Sequence, residues 1–267
     1  MKRCIFALAA AFVLAIPAGF AAAEENGGGD EEIGLSAGVE LGFGDVADEA
    51  KLGITPNVVY ENSFDALDIF AELDYTIGID DPVMQELYLE VELGYNFEFS
   101  GSGVLSVIAN SQNTFYIDPA PEDGFTHLGI VEPGIKYTHT LDIGDLYGQL
   151  GFPISYWTGI KDESAVDSYV TLGWASNFGL GLELTGNFAL NPETDFAGCG
   201  FLVSYEQGIF YGEVECAVDK EFKSLEIKPQ VDISPGPWTF TVRAEFYKFD
   251  GIDDWAVMPF IGAGYSF

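Results

Sequence analysis

Positive charge is the scarcest commodity in this sequence: 10 Lys and Arg stand against 43 Asp and Glu, a formal net charge of −33. So few cations argue against nucleic acid as a partner and against adhesion to anionic headgroups, since both need Lys and Arg to meet phosphate. Cysteine, at 3 residues, is too sparse for a disulfide framework, and histidine, at 2, too rare for a His-rich metal centre. No segment of useful length has helix periodicity. After residue 23 no apolar run approaches the ~20 residues that a membrane-spanning helix needs. The chain is nonetheless no disordered polyanion, because 48% of it is hydrophobic and 15% aromatic. If it enters a membrane, it must do so as strands.

The opening "MKRCIFALAAAFVLAIPAGFAAAEE" has a basic start, an apolar middle and a small-residue end. That order reads as a cleavable signal peptide over residues 1–23, with cleavage expected after Ala23. Pro17 and Gly19 interrupt the stretch and weigh against a retained anchor helix, and Cys4 receives no role. Loss of Lys2 and Arg3 would move the net charge from −33 to about −35. A short acidic segment, residues 24–32, then leads into residues 33–267.

Period-2 alternation runs almost unbroken through that region. In "IGLSAGVELGF", Ile33, Leu35, Ala37, Val39, Leu41 and Phe43 share one face, opposite Gly34, Ser36, Gly38, Glu40 and Gly42. The pattern predicts about fourteen strands: 33–43, 52–61, 66–78, 86–99, 103–117, 126–141, 145–158, 166–177, 178–190, 196–206, 209–218, 224–234, 238–249 and 255–267. The fifth and sixth alternate least clearly, which leaves twelve as the other count. Connections alternate between acidic ones, such as "IDDPVMQ" and "DPAPEDGF", and short turns rich in Gly, Asn, Ser or Pro, such as "SGSG" and "SPGP". An up-and-down meander would gather the acidic loops at one rim and both termini at the other.

A soluble β-sandwich would alternate too. Here, however, Phe, Tyr and Trp concentrate at the ends of the apolar faces: Phe43, Tyr60, Phe97, Tyr137, Trp174, Phe178, Tyr205, Phe210, Trp238, Trp255 and Tyr265. Two aromatic girdles around an aliphatic band, backed by faces of Gly and acids, describe a transmembrane antiparallel β-barrel. The terminal "FIGAGYSF" supports this reading. With Gly262, Ala263, Tyr265 and Phe267 it resembles the last strand of bacterial outer-membrane β-barrel proteins, which ends in Phe. The resemblance covers residues 33–267 as architecture and implies an integral outer-membrane protein whose last strand is read by the barrel-assembly machinery. Its implied partners are outer-membrane lipid and small solutes or cations. The region before the first strand is short beside the N-terminal hatch of fatty-acid transporters, and no loop matches the infolded loop of trimeric porins. The expected protein is therefore a small monomeric porin-like channel for hydrophilic solutes, similar in scale to monomeric fourteen-stranded porins. The alternative is a barrel that conducts nothing of that kind: a scaffold or adhesin, a lipid-substrate transporter, or an enzyme.

By parity the inward positions include Glu40, Asp68, Glu72, Asp74, Glu90, Glu92, Glu132, Asp167, Glu183, Glu213, Glu215, Glu226, Asp232 and Glu245, against the bases Lys136, Lys228 and Arg243. An acid-lined lumen concentrates cations and repels anions, so cation preference is expected. The acidic rim would attract Ca²⁺ or Mg²⁺ without defining a site, and no cofactor is expected. Nor is catalysis. His127 and His139 share the apolar parity of the sixth strand, with no G-x-S-x-G or H-E-x-x-H motif in the chain. A turn at Gln207–Gly208 would set Cys199 directly opposite Cys216, ~4.5 Å apart between Cα atoms, close enough for a disulfide. Pro56, Pro133, Pro153, Pro229 and Pro259 fall inside the strands, each lacking a ladder donor.

Overall fold

A computed structural model describes residues 33–46, 49–64, 66–78, 85–99, 102–118, 125–159, 163–191, 194–249 and 255–267. The expected signal peptide, the acidic segment before residue 33 and most of the acidic loops lie outside these residues.

Every regular element is a strand: β1 (Ile33–Val46), β2 (Glu49–Phe64), β3 (Leu67–Gly78), β4 (Gln85–Phe99), β5 (Gly103–Asp118), β6 (Phe125–Leu141), β7 (Gly144–Gly151), β8 (Ile154–Gly159), β9 (Glu163–Ser176), β10 (Leu180–Asn191), β11 (Asp195–Gln207), β12 (Phe210–Asp219), β13 (Leu225–Ile233), β14 (Trp238–Lys248) and β15 (Ala256–Ser266). β7 and β8 are two halves of one stave. Both pair with β6 and with β9, in a register unchanged across Phe152 and Pro153. Every neighbouring pair is antiparallel and β15 pairs with β1, so the sheet closes into a 14-stranded barrel and has no edge. β5 and β6 are among the longest strands, so the fourteen-strand reading holds over the twelve. Followed once around the wall, the register closes with a stagger of about 16 residues, a strand tilt of about 40°.

The inside and outside are inverted relative to a soluble protein. Among the described residues the buried apolar side chains are Ala37, Ile54 and Pro56, while Leu172, Leu184 and Val242 are more than half exposed on the outer face. Allowing for the stagger, Tyr60, Tyr95, Tyr137, Trp174, Tyr205, Trp238 and Tyr265 come within about 5 Å of one level on the outer face. Phe43, Phe115, Tyr156 and Phe196 stand roughly 20 Å above them, so the aliphatic band between matches the thickness expected of a lipid-facing barrel surface. Both histidines belong to these girdles. His127 stacks on Phe115 at 4.4 Å and contacts Asn113 and Thr158, and His139 lies beside Tyr137 at the opposite end.

Four of the five prolines lie in strands and fit because each sits where one of its two ladders is interrupted, whereas Pro153 falls between β7 and β8, outside both. Pro56 pairs with Val39 on β1, while the β2–β3 register skips it. Pro229 pairs with Val214, and the β13–β14 register skips it likewise. Pro259 pairs with Ala244 just past the end of the β15–β1 ladder. Pro133 and Pro153 meet at the β7–β8 break, where their carbonyls still accept from Phe152 N at 3.0 Å and Asp167 N at 2.9 Å. An antiparallel residue bonds to one neighbour at a time, so a missing N–H is harmless on the side that is not bonded.

One expected pairing is corrected. The β11–β12 turn is centred on Gly208 and Ile209, with Gln207 paired to Phe210. Gly208 has φ +63°, as a type II′ turn requires at its first central position. The register moves by two, placing Cys199 opposite Val218 and Cys216 opposite Phe201, and both thiols are free.

The final strand is tied on both sides. Ser266 N donates to Pro237 O and Phe267 N to Leu35 O, each at 2.8 Å, while Tyr265 packs against Trp238 and Phe267. Gly262 and Ala263 pair with Glu40 and Val39 across the closing seam.

Candidate functional site

Following parity through the pairings puts every lumen residue named from the sequence on one continuous inner face. Glu40 leads through Thr55 and Thr76 to Glu86 on β4, and the same face returns through Arg243 and Phe260 to Gly42. Glu40, Asp74, Glu72, Glu90, Glu132, Glu215, Lys228 and Arg243 then fall within about 6 Å of one level, close to halfway between the aromatic girdles. Asp68, Glu92, Glu183, Glu213 and Asp232 lie below this level. Asp167, Glu226 and Glu245 lie above it.

The acids are held by neighbours of the same wall. Glu90 accepts from the Tyr88 hydroxyl at 2.6 Å, Asn110 Nδ2 at 2.6 Å and Gln112 Nε2 at 3.1 Å, and it stands directly opposite Glu72. Asp68 accepts from Ser63 at 2.7 Å and Asn96 at 2.6 Å. Tyr211 donates to Glu213, Tyr247 to Glu245 at 2.6 Å, and Gln230 to Asp232 at 2.9 Å. These acceptors are pinned at fixed points of the wall, where freely rotating side chains would blur the field.

Two tyrosines reach over an intervening strand to a carboxylate. Tyr147 on β7 crosses Gly173 of β9 to donate to Glu183 on β10 at 2.5 Å. Tyr169 on β9 crosses Gly151 of β7 to donate to Glu132 on β6 at 2.5 Å, and accepts from Gln149 Nε2 at 2.6 Å. In both cases a Cβ on the glycine would overlap the ring, so the crossing exists because the middle strand has no side chain there. These tyrosines are not among the residues that parity and charge single out in the sequence. The local signal was available where tyrosine and glutamate sit two apart on one face, as in "YLE" at Tyr88, "YGE" at Tyr211 and "EFY" ending at Tyr247. The cross-strand partners had none.

The three lumen bases named from the sequence are engaged by the wall. Lys228 pairs with Glu226 at 2.8 Å, Lys136 sits 4.5 Å over the Tyr147 ring, and Arg243 contacts Glu40 at 2.9 Å and Glu245 at 3.6 Å. The carboxylates of β3, β4 and β6 at mid-height have no such ion-pair partner among the described residues. No group of His, Cys, Asp and Glu suited to a metal ion is present among them either.

No protein-family model matches the chain, and no curated protein matches it. Among solved structures, a deletion mutant of TodX, described as a monoaromatic hydrocarbon channel, aligns with TM-score 0.50 and 8% identity over 90% of this chain and 91% of that one. A mutant of Rhodopseudomonas blastica porin aligns with TM-score 0.41 and 12% identity over 89% of this chain and 100% of the other. At 8% identity what the chain shares with the TodX variant is the fold alone, a closed antiparallel β-barrel.

Proposed function

We propose that this protein is an integral outer-membrane channel for small hydrophilic solutes that prefers cations, acts as a monomer and reaches the membrane by recognition of its last strand by the assembly machinery. One observation carries the preference. The inner face bears many carboxylates and few bases, and Lys136, Lys228 and Arg243 are each already engaged with the chain's own acids or rings. A permeating anion therefore finds little unsatisfied positive charge, while a cation meets fixed carboxylates at mid-height. The hydrogen-bonding character of that face favours hydrated solutes over apolar ones. Reconstitution into planar bilayers between asymmetric KCl solutions tests the reading: the reversal potential should lie toward the K⁺ equilibrium value. A value toward that of Cl⁻ would falsify the preference, and the absence of current would remove the channel itself.

A further inference from the structure

Of the lumen bases named from the sequence, Arg243 is the one flanked by two carboxylates and an aromatic ring. Its guanidinium leaves β14, passes over β15 and meets Glu40 Oε1 on β1 at 2.9 Å, bridging the seam where the barrel closes. Glu245 Oε1 lies 3.6 Å away on the other flank, and the other oxygen of Glu245 is occupied by the Tyr247 hydroxyl at 2.6 Å. Beneath is the Phe260 ring, 4.3 Å from Arg243 Cζ. Phe260 is pressed against the seam in turn, since a Cβ on Gly42 would lie 2.8 Å from its edge. Two carboxylates and an aromatic face are the groups that hold a planar, weakly hydrated cation. The side chain keeps 30% of its surface open, and the cradle sits at the level of Glu72, Glu90 and Glu132.

We propose that Arg243 is a specificity-determining residue of the lumen: an internal counter-ion, seated in a cradle shaped for a guanidinium or primary ammonium, that masks Glu40 and Glu245 from passing solute. The proposal rests on the channel reading. It further implies that the pore is less cation-selective than its acid content would make it, and that emptying the cradle creates a site for a small organic cation.

The test compares wild type, Arg243→Gln and the double variant Arg243→Gln/Phe260→Leu, each first shown by heat-modifiable gel migration to form a barrel. Arg243→Gln should raise the K⁺ to Cl⁻ permeability ratio at least twofold. Guanidinium chloride at low millimolar concentration should then return that ratio toward the wild-type value in Arg243→Gln, with much smaller effects on wild type and on the double variant. An unchanged ratio in Arg243→Gln, or an equal guanidinium response in all three proteins, overturns the proposal. The sign of the wild-type potential bears on the channel reading, whereas the differences among variants bear on the cradle. If no protein carries current, unfolding midpoints in detergent decide. Low-millimolar guanidinium should raise the midpoint of Arg243→Gln above its effect on the double variant, and equal shifts overturn the cradle.

Discussion

Tyr169 donates its hydroxyl to Glu132 from two staves away, its ring filling the space that a side chain on Gly151 of the stave between them would occupy. The contact depends on three residues remote in sequence: a donor, an acceptor and a glycine whose missing side chain makes the path. Tyr147, Gly173 and Glu183 repeat it one strand further round.

A side chain at the glycine should therefore do more harm than loss of the hydroxyl. Gly151→Val displaces the Tyr169 ring and should destabilise the barrel by about 1–3 kcal/mol, the usual cost of overpacking. Tyr169→Phe keeps the ring in place and loses a hydrogen bond, at about 1–2 kcal/mol. Urea unfolding in detergent, followed by heat-modifiable migration, should rank them in that order, and the reverse order would show that the ring does not rest on the glycine.

Position around the wall should matter more than number of acids. Glu72→Gln with Glu90→Gln removes two carboxylates that face each other with no ion-pair partner among the described residues, and should lower the K⁺ to Cl⁻ permeability ratio severalfold. Glu226→Gln with Lys228→Gln removes an ion pair already closed at 2.8 Å and should change it little. The difference should shrink between 0.1 M and 1 M salt as the screening length falls from about 10 Å to about 3 Å. Equal effects of the two changes would count against fixed wall charges.

Cys199 and Cys216 should both alkylate without reductant, because the observed register offsets them by two positions. Their outward parity places them against lipid, so a membrane-impermeant maleimide should label them slowly in liposomes and quickly after unfolding. Mass spectrometry reads both results. A pair of mass units missing from the unreduced protein would indicate the bridge.

Tyr265→Ala with Phe267→Ala removes the aromatic end that packs on Trp238 and closes the outer face of the seam. In cells this variant should accumulate outside the outer-membrane fraction and be degraded, while purified protein refolded into detergent should still close, since the backbone bonds to Leu35 and Pro237 remain. Normal fractionation would argue against a role for these rings in assembly.

Most of the architecture was legible from residues alone. Alternation with a period of 2 assigns each side chain to one of two faces, and that assignment survives errors of a residue or two at strand ends. It therefore put Glu40, Glu90, Glu245 and their companions on one face, and the aromatic girdles on the other. What did not survive such errors was anything that depended on register between strands. The turn at Gly208 was placed one residue early, and that was enough to set Cys199 against the wrong partner. The prolines resisted a one-dimensional reading for a related reason: whether a missing donor matters depends on which neighbour is bonded at that point.

The sequence by itself determined the two faces of each strand, the acidic character of one of them and the aromatic terminal strand, because all of these follow from local periodicity and composition. The tertiary structure decided which charges are answered. Arg243 meets Glu40 only because the stagger of the closed wall brings residues 203 apart in sequence to one level, with Phe260 as the surface between them. Neighbours in a barrel are set by register and closure, and closure is a property of the whole chain.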